Sequence, residues 1–380
     1  MMINLVEPQK EEQVEYDWEQ FSKTPGLKDF GPNSGVKALD GGTINYIYRI
    51  TSDKNPDRTV IVKHGDSHVK EFPVFALPKL RTRVEFWVMK KMAELVPGSV
   101  PIAYLYHPTH NYIVMEDLGG YAILRDKLNN ADLDLSILKQ LAVFIGKLHR
   151  ATHKATINPA EHQEMVTFCE PSNMQGLGTR HVFIDPVERM GDGKYVKEVK
   201  DFLQDPILGR NWEKLKSMCL TKHDCLVHGD FHTSSVMVKD STVKIFDLEF
   251  AHMGPAGNDF GHMLANIFKV YLDHKLYPLS EGSTYYVRLG KAICELVDAY
   301  FKEAREYLND EDYATTVSET AGFVGARMIR RVWGLQELGE EPTQPATREE
   351  LLRIAYRLIS EFEKIQTLQQ LKEYLINGKE

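Results

Sequence analysis

Cysteine is scarce and scattered. Four occur in 380 residues, Cys169, Cys219, Cys225 and Cys294, with no C-x-x-C spacing, so no disulfide framework is expected. Basic residues do not dominate either: 46 Lys and Arg stand against 54 Asp and Glu, a formal net charge of −8. A nucleic-acid binder needs a basic excess or stripe, which excludes that class of partner while leaving room for a local basic pocket. No apolar run is long enough to span a bilayer, and Met1 to Lys10 lacks the basic start and apolar stretch of a secretion signal. A reducing cytoplasm, with no membrane partner, is the expected home. Repeats and low-complexity tracts are absent too. What is there is an ordinary globular composition, 43 % hydrophobic and 26 % charged, in a chain long enough for two lobes.

The first forty residues are mixed and charged, broken by Pro25-Gly26 and Gly31-Pro32. After Gly41-Gly42 the pattern turns to β-formers. Thr43 to Ile50 alternates, and Thr59-Val-Ile-Val-Lys63 follows a turn-rich Ser52 to Asp57, which predicts a hairpin. Arg83 to Leu95 supplies helix formers stopped by Pro97-Gly98. Tyr112 to Met115 reads as a further strand, ending at a hinge over Glu116-Asp117-Leu118-Gly119-Gly120.

Beyond the hinge the chain turns helical. Leu138, Leu141, Ala142, Ile145 and Leu148 share one helical face, with Asp132 or Asp134 as the cap. Short strands at Leu226–His228, Val236–Val238 and Val243–Phe246 interrupt this half, and long amphipathic segments fill it from Gly257 onward. The expected fold is therefore α+β and two-lobed: a small β-rich N-lobe over residues 1–118 and a larger helical C-lobe over 119–380. A nucleotide would lie between them.

The densest chemistry sits in Leu226-Val-His-Gly-Asp-Phe-His-Thr-Ser-Ser235 and Lys244-Ile-Phe-Asp-Leu-Glu-Phe250. Phosphoryl transfer needs a carboxylate to orient the attacking hydroxyl, acidic ligands for Mg²⁺ on the phosphates, and a cation over them. Asp230 follows a short strand and suits the first task. Asp247 and Glu249 lie two apart, which in extended geometry puts both carboxylates on one side of the chain. A lone loop aspartate is ordinarily a turn or cap residue. That reading would have to explain three acids on two strand ends, a glycine turn at Gly41-Gly42 able to approach phosphate oxygens, and Lys63 at the end of a strand. ATP and Mg²⁺ are the cofactors these residues call for. His223, Cys225, His228 and His232 crowd together, but their spacing does not fit the paired ligands of structural zinc.

These residues carry a resemblance to the aminoglycoside phosphotransferase and choline kinase-like superfamily, from about Gly41 onward. Gly146-Lys-Leu-His-Arg-Ala-Thr152 is similar to its G-x-L-H-x-x-T helix. The likeness is closest to methylthioribose kinases: Asp40 to Tyr48 resembles their G-x-L-N-Y-V glycine loop and Met115-Glu-Asp-Leu118 their hinge. His228 to Ser235 resembles H-G-D-L-H-T-G-S, and Asp247-Leu-Glu249 a D-x-E metal element. Phe250 to Gly261 resembles F-A-F-Y-G-P-x-G-F-D-I-G, and Met328-Ile-Arg-Arg331 resembles M-I-R-R. The resemblance implies a protein-kinase-like fold that phosphorylates the hydroxyl of a small molecule, and a homodimer. It makes Asp230 the catalytic base and an acceptor contact. Gly41, Gly42, Asn45 and Lys63 become nucleotide contacts, with Glu116, Asp117 and Leu118 at the adenine. Asp247 and Glu249 become metal ligands, Glu249 making good the asparagine that most of the superfamily carries where Ser235 stands here. Either Arg330 or Arg331 would reach the acceptor.

The chain departs from that pattern at Phe72, where a tryptophan precedes the proline, at Thr43 and at Met253-Gly254. These positions touch the lid and pocket, so choline, ethanolamine and aminoglycosides stay open beside a sugar acceptor. A protein kinase is disfavoured, since H-R-D, D-F-G and A-P-E segments are missing. A catalytically inactive binding module is disfavoured because Lys63, Asp230, Asp247 and Glu249 all remain.

Overall fold

The computed structural model describes residues 15–39, 44–70, 76–188, 196–333 and 343–377. The Gly41-Gly42 turn, Thr43 and Phe72 lie outside them. The first described half builds a five-stranded antiparallel sheet in the order β1-β2-β3-β5-β4. Its strands are β1 (Gly35–Ala38), β2 (Tyr46–Thr51), β3 (Thr59–His64), β4 (Ala103–His107) and β5 (Tyr112–Glu116). The expected hairpin is β2–β3, with Ile47 opposite Lys63.

Period-two alternation decides what each face of this sheet meets. Val60, Val62, Tyr112 and Val114 face a small core with Phe21, Leu27 and Phe30. The helix α1 (Trp18–Lys23), capped by the Asp17 carboxylate on Gln20 N, carries Phe21 onto that face. The first forty residues thus hold three anchors that no periodic pattern advertises. Ile113 and Met115 face the other way, onto Val84, Val88 and Met92 of α2 (Leu80–Leu95). Lys63 shares the parity of Ile61 and so turns toward α2. The helix ends where expected, at Pro97-Gly98, with Gly98 at φ +84°.

The second half is helical. It opens with β6 (Ala122–Ile123), α3 (Leu124–Asn129) and α4 (Ser136–Thr152), then α5 (Pro159–Cys169), α6 (Met174–Phe183) and α7 (Asp185–Glu188). Asp134 rather than Asp132 takes the α4 N-terminus, accepting from Ser136 N at 3.0 Å. After α8 (Val196–Gln204) and α9 (Pro206–Thr221) come three strands: β7 (Cys225–Val227), β8 (Val236–Lys239) and β9 (Thr242–Ile245). Then follow β10 (His252–Gly254), α10 (Ala256–Leu276), α11 (Tyr285–Arg305), α12 (Asp310–Trp333), α13 (Pro345–Glu361) and α14 (Leu368–Lys372). β6, β8 and β9 form one small sheet, while β7 pairs with β10.

The α4 stripe is buried: Leu138, Leu141, Ile145 and Leu148 are fully covered, each contributing about 1.5–3 kcal/mol by area. Gly146 lets α4 approach α11, since a Cβ there would stand 2.9 Å from Glu303 Cβ. On α11, Tyr300 stacks on Phe260 of α10 with ring centroids 3.9 Å apart. This packed block is the platform for β7, β10 and the loops that follow them. Among the described residues no helix is long and apolar enough to cross a membrane.

Candidate active site

The loop after β7 is held from below. Asp259 of α10, 1 % exposed, accepts from His228 N at 2.8 Å and Gly229 N at 3.0 Å, while His149 of α4 binds the same carboxylate at 3.2 Å. Thr152, three residues on, takes Leu226 N at 3.0 Å. The G-x-L-H-x-x-T segment therefore works as a clamp on the strand and loop before Asp230. The His228 ring bridges onward, accepting from Asp230 N at 3.3 Å and donating to Phe246 O at 3.0 Å. Gly229 is obligatory here: its φ is +82°, and a Cβ would meet Phe250 O at 2.1 Å.

Asp230 emerges from this frame with its side chain 35 % exposed. His232 Nε2 lies 3.2 Å from one carboxylate oxygen and His262 Nδ1 lies 3.6 Å from the other. Burial works against ionisation of Asp230, but His232 foremost, with Arg327 contributing, holds its carboxyl well below the usual range. Ser235, 1 % exposed, spends its hydroxyl on Asp230 O at 3.1 Å. It closes the loop from inside.

The second group spans both halves of the chain. Lys63 on β3, 6 % exposed, binds Glu85 of α2 at 2.9 Å, pairs with Asp247, and lies 3.6 Å from Glu249. Burial opposes its charge, yet these three carboxylates hold its pKa above the ordinary lysine value. Asp247 follows β9 with φ +66°, a left-handed backbone that costs a non-glycine residue roughly 1–2 kcal/mol. That turn brings its carboxylate, 39 % exposed, onto Lys63. Burial would raise the Asp247 pKa, and Lys63 lowers it below the usual range.

Glu249, 1 % exposed, is gripped on both oxygens: Asn45 Nδ2 donates at 2.7 Å to one and Arg81 Nε at 2.7 Å to the other. Arg81, at the start of α2 and fully buried, also donates to Asn45 Oδ1 at 2.9 Å and Asp66 O at 2.6 Å. Arg81 and Glu85 lie one helical turn apart, so α2 ties the sheet to the Asp247-Leu248-Glu249 turn twice. Glu249→Ala would leave the Arg81 guanidinium buried without its carboxylate, and we expect a loss of about 3–5 kcal/mol in urea unfolding. Adding Arg81→Met should recover much of that loss. A single variant as stable as the parent would contradict the pairing.

The remaining predicted residues are spread around this centre. Glu116 Oε2 accepts from Ile102 N at 3.0 Å and Lys244 Nζ at 3.3 Å. Asp117 takes a two-armed pair from Arg49, and Leu118 O accepts from Tyr121 N at 3.0 Å. Arg330 contacts His181 of α6, and Arg331 contacts Asn266 of α10. The two neighbours thus leave α12 in different directions, as adjacent helical residues must. Sequence reading passed over Arg327, one turn earlier, which is 7 % exposed and electrostatically coupled to Asp230.

Burial also holds three histidines below the ordinary imidazole range: His153, to about 4, His252 and His262. In the unfolded chain each takes up a proton near pH 6.5, whereas the native protein does so only at lower pH. Their contribution is complete above about pH 6.5 and is lost as the pH falls toward 4. The urea midpoint should therefore drop between pH 7.5 and pH 5; equal midpoints would contradict these environments.

The sequence profile of the phosphotransferase enzyme family matches residues 35–283. The chain belongs to that family. The methylthioribose kinase of Geobacillus sp. strain WCH70 is 26 % identical to this phosphotransferase over 331 residues, covering 83 % of this chain and 82 % of that one. The methylthioribose kinase of Bacillus thuringiensis subsp. konkukian is 26 % identical over 365 residues, covering 92 % and 91 %. Among solved structures, choline kinase from Cryptosporidium parvum superposes with a TM-score of 0.53 at 15 % identity, covering 93 % of the phosphotransferase and 97 % of its own chain. That likeness speaks to the fold, the two-lobed α+β arrangement expected from the sequence. The family resemblance drawn from the short segments is borne out.

Proposed function

We propose that this phosphotransferase moves the γ-phosphate of ATP onto a hydroxyl of a small sugar, with methylthioribose as the acceptor. One observation carries the reading. Lys63 of the sheet pairs with Asp247 after β9, and the His228 ring ties Phe246, the residue before Asp247, to the backbone of Asp230 after β7, in a chain that aligns over most of its length with methylthioribose kinases.

In this reading the division between lobes follows Leu118, and adenine meets the backbone of Glu116, Asp117 and Leu118. Lys63 faces the phosphates, with Glu85 holding its ammonium in place. The glycine turn at Gly41 and Gly42 approaches the same phosphates, and Asn45 steadies Glu249 beside them. Asp247 and Glu249 offer hard oxygen donors of the kind Mg²⁺ takes together with substrate phosphates. Asp247, the more exposed of the two, would be its principal carboxylate. Bound there, the ion would neutralise charge developing on the β- and γ-phosphates.

Asp230 accepts the hydrogen bond of the acceptor hydroxyl and turns its oxygen toward the γ-phosphorus. A carboxylate held at so low a pKa is a weak base. That is adequate for a loose transition state in which the proton leaves late and orientation matters most. Arg330 and Arg331 sit on the helix that walls the acceptor side. ATP consumption measured against methylthioribose, choline, ethanolamine, homoserine and aminoglycosides tests the proposal: methylthioribose should be turned over, and turnover of an amine-bearing acceptor alone would remove the sugar reading.

A further inference from the structure

Three polar side chains around the loop that carries Asp230 are given no contact with ATP or the acceptor by the reading above. His262 directs Nδ1 at Asp230 from 3.6 Å, too far for a hydrogen bond. That buried nitrogen has no hydrogen-bond partner among the described residues. Arg327 is the second. Its Nε, at 3.3 Å, and one terminal nitrogen, at 3.0 Å, both donate to Asn258 Oδ1. A neutral amide oxygen is thus the hydrogen-bond acceptor for a guanidinium 7 % exposed, which feels the charge of Asp230 without a hydrogen bond or ion pair to a carboxylate among the described residues. Asn258, 4 % exposed, is the third, with its amide hydrogens still to give. Arg327 and Asn258 line a small cavity with Thr179, Val182 and Phe183 of α6 and with Gly229, the residue before Asp230.

Buried charge is tolerated when it is paired and hydrogen-bonded. Here the wall offers N–H donors and positive charge to whatever occupies the cavity, and it offers no carboxylate. An ammonium or quaternary amine meets the like charge of Arg327 there and finds no carboxylate among the lining residues. Hydroxyl, ring or carboxylate oxygens do, and they relieve the guanidinium at the same time.

We propose that Arg327, seated on Asn258 and flanked by His262, is the specificity-determining residue of the acceptor site: it selects acceptors presenting oxygen atoms, neutral or anionic, and rejects cationic ones. This deepens the sugar-kinase reading and rests on it. Arg327 grips the acceptor through its spare N–H groups, while Asp230 orients the hydroxyl that is phosphorylated.

The test is steady-state kinetics of the full chain and its Arg327→Met and Arg327→Lys variants with methylthioribose, a sugar acid (gluconate) and choline. Loss of a hydrogen bond from a charged group predicts an acceptor KM raised roughly 10- to 100-fold in Arg327→Met. The KM for ATP should stay unchanged, and Arg327→Lys should restore part of the loss. A merely structural role would lower active enzyme and kcat without this split. Should the methionine variant not fold, Arg327→Lys and Asn258→Ala carry the same comparison, each with a raised acceptor KM. An unchanged acceptor KM in the folded variants, or wild-type preference for choline, would overturn the inference. If methylthioribose is inert but gluconate is taken with the Arg327 dependence intact, the methylthioribose reading fails and this one stands. If methylthioribose is taken with a KM indifferent to Arg327, the reverse holds.

Discussion

Asp230→Asn should abolish phosphoryl transfer while leaving ATP binding intact. Asparagine keeps the shape of the side chain and its place in the loop, because the loop is held by His228, Asp259 and Ser235 through backbone atoms. What disappears is the negative oxygen that, in the proposed mechanism, accepts from the acceptor hydroxyl. Proton acceptance by a placed side chain is worth roughly 10²–10⁴-fold, and the orientation lost with it adds to that. The Lys63 cluster does not touch Asp230, so nucleotide affinity measured by calorimetry should change little. Near-parental turnover in this variant would remove the loop after β7 from the chemistry.

The second large effect is expected at Asp247→Ala. Lys63 keeps Glu85 at 2.9 Å, so the fold should survive, and alanine meets the same left-handed φ with no carboxylate to place in the cleft. Metal neutralisation of the transferring phosphate supplies several kcal/mol, which corresponds to roughly three powers of ten in kcat. A Mg²⁺ titration should show both a lower plateau and a much higher half-saturating concentration. Glu249→Ala should shift the Mg²⁺ dependence as well, but its stability loss comes first, because Arg81 depends on it. Parental Mg²⁺ dependence in Asp247→Ala would place the metal elsewhere.

What could be read from the sequence was whatever lay in contiguous runs. Asp230, Asp247 and Lys63 stand at strand ends bounded by clear turns, and the α4 stripe has strict helical spacing. The residues that escaped reading act through partners far away in the chain. Arg81 looks like any exposed charge at a helix start, yet it is buried against Glu249, 168 positions later. Arg327 was hidden by the more conspicuous Arg330-Arg331 pair; only the rotation of α12 shows which of the three turns inward. Phe21, Leu27 and Phe30 carry no period, so their role as the cover of the sheet became visible only with the sheet in place. The strand β10 is short and exists because β7 pairs with it, with Met253 opposite Leu226. The helices between Pro159 and Thr221 have mixed faces that tertiary packing, rather than propensity, resolves.

In the proposed function the cleft between Lys63, Asp247 and Asp230 transfers the γ-phosphate of ATP to a sugar hydroxyl. Phosphorus NMR of a reaction containing the purified protein, MgATP and methylthioribose tests it most directly. One new phosphate-ester resonance at the anomeric position should grow in step with ADP and be absent with Asp230→Asn. ADP appearing with inorganic phosphate alone, or no loss of ATP at all, would contradict it.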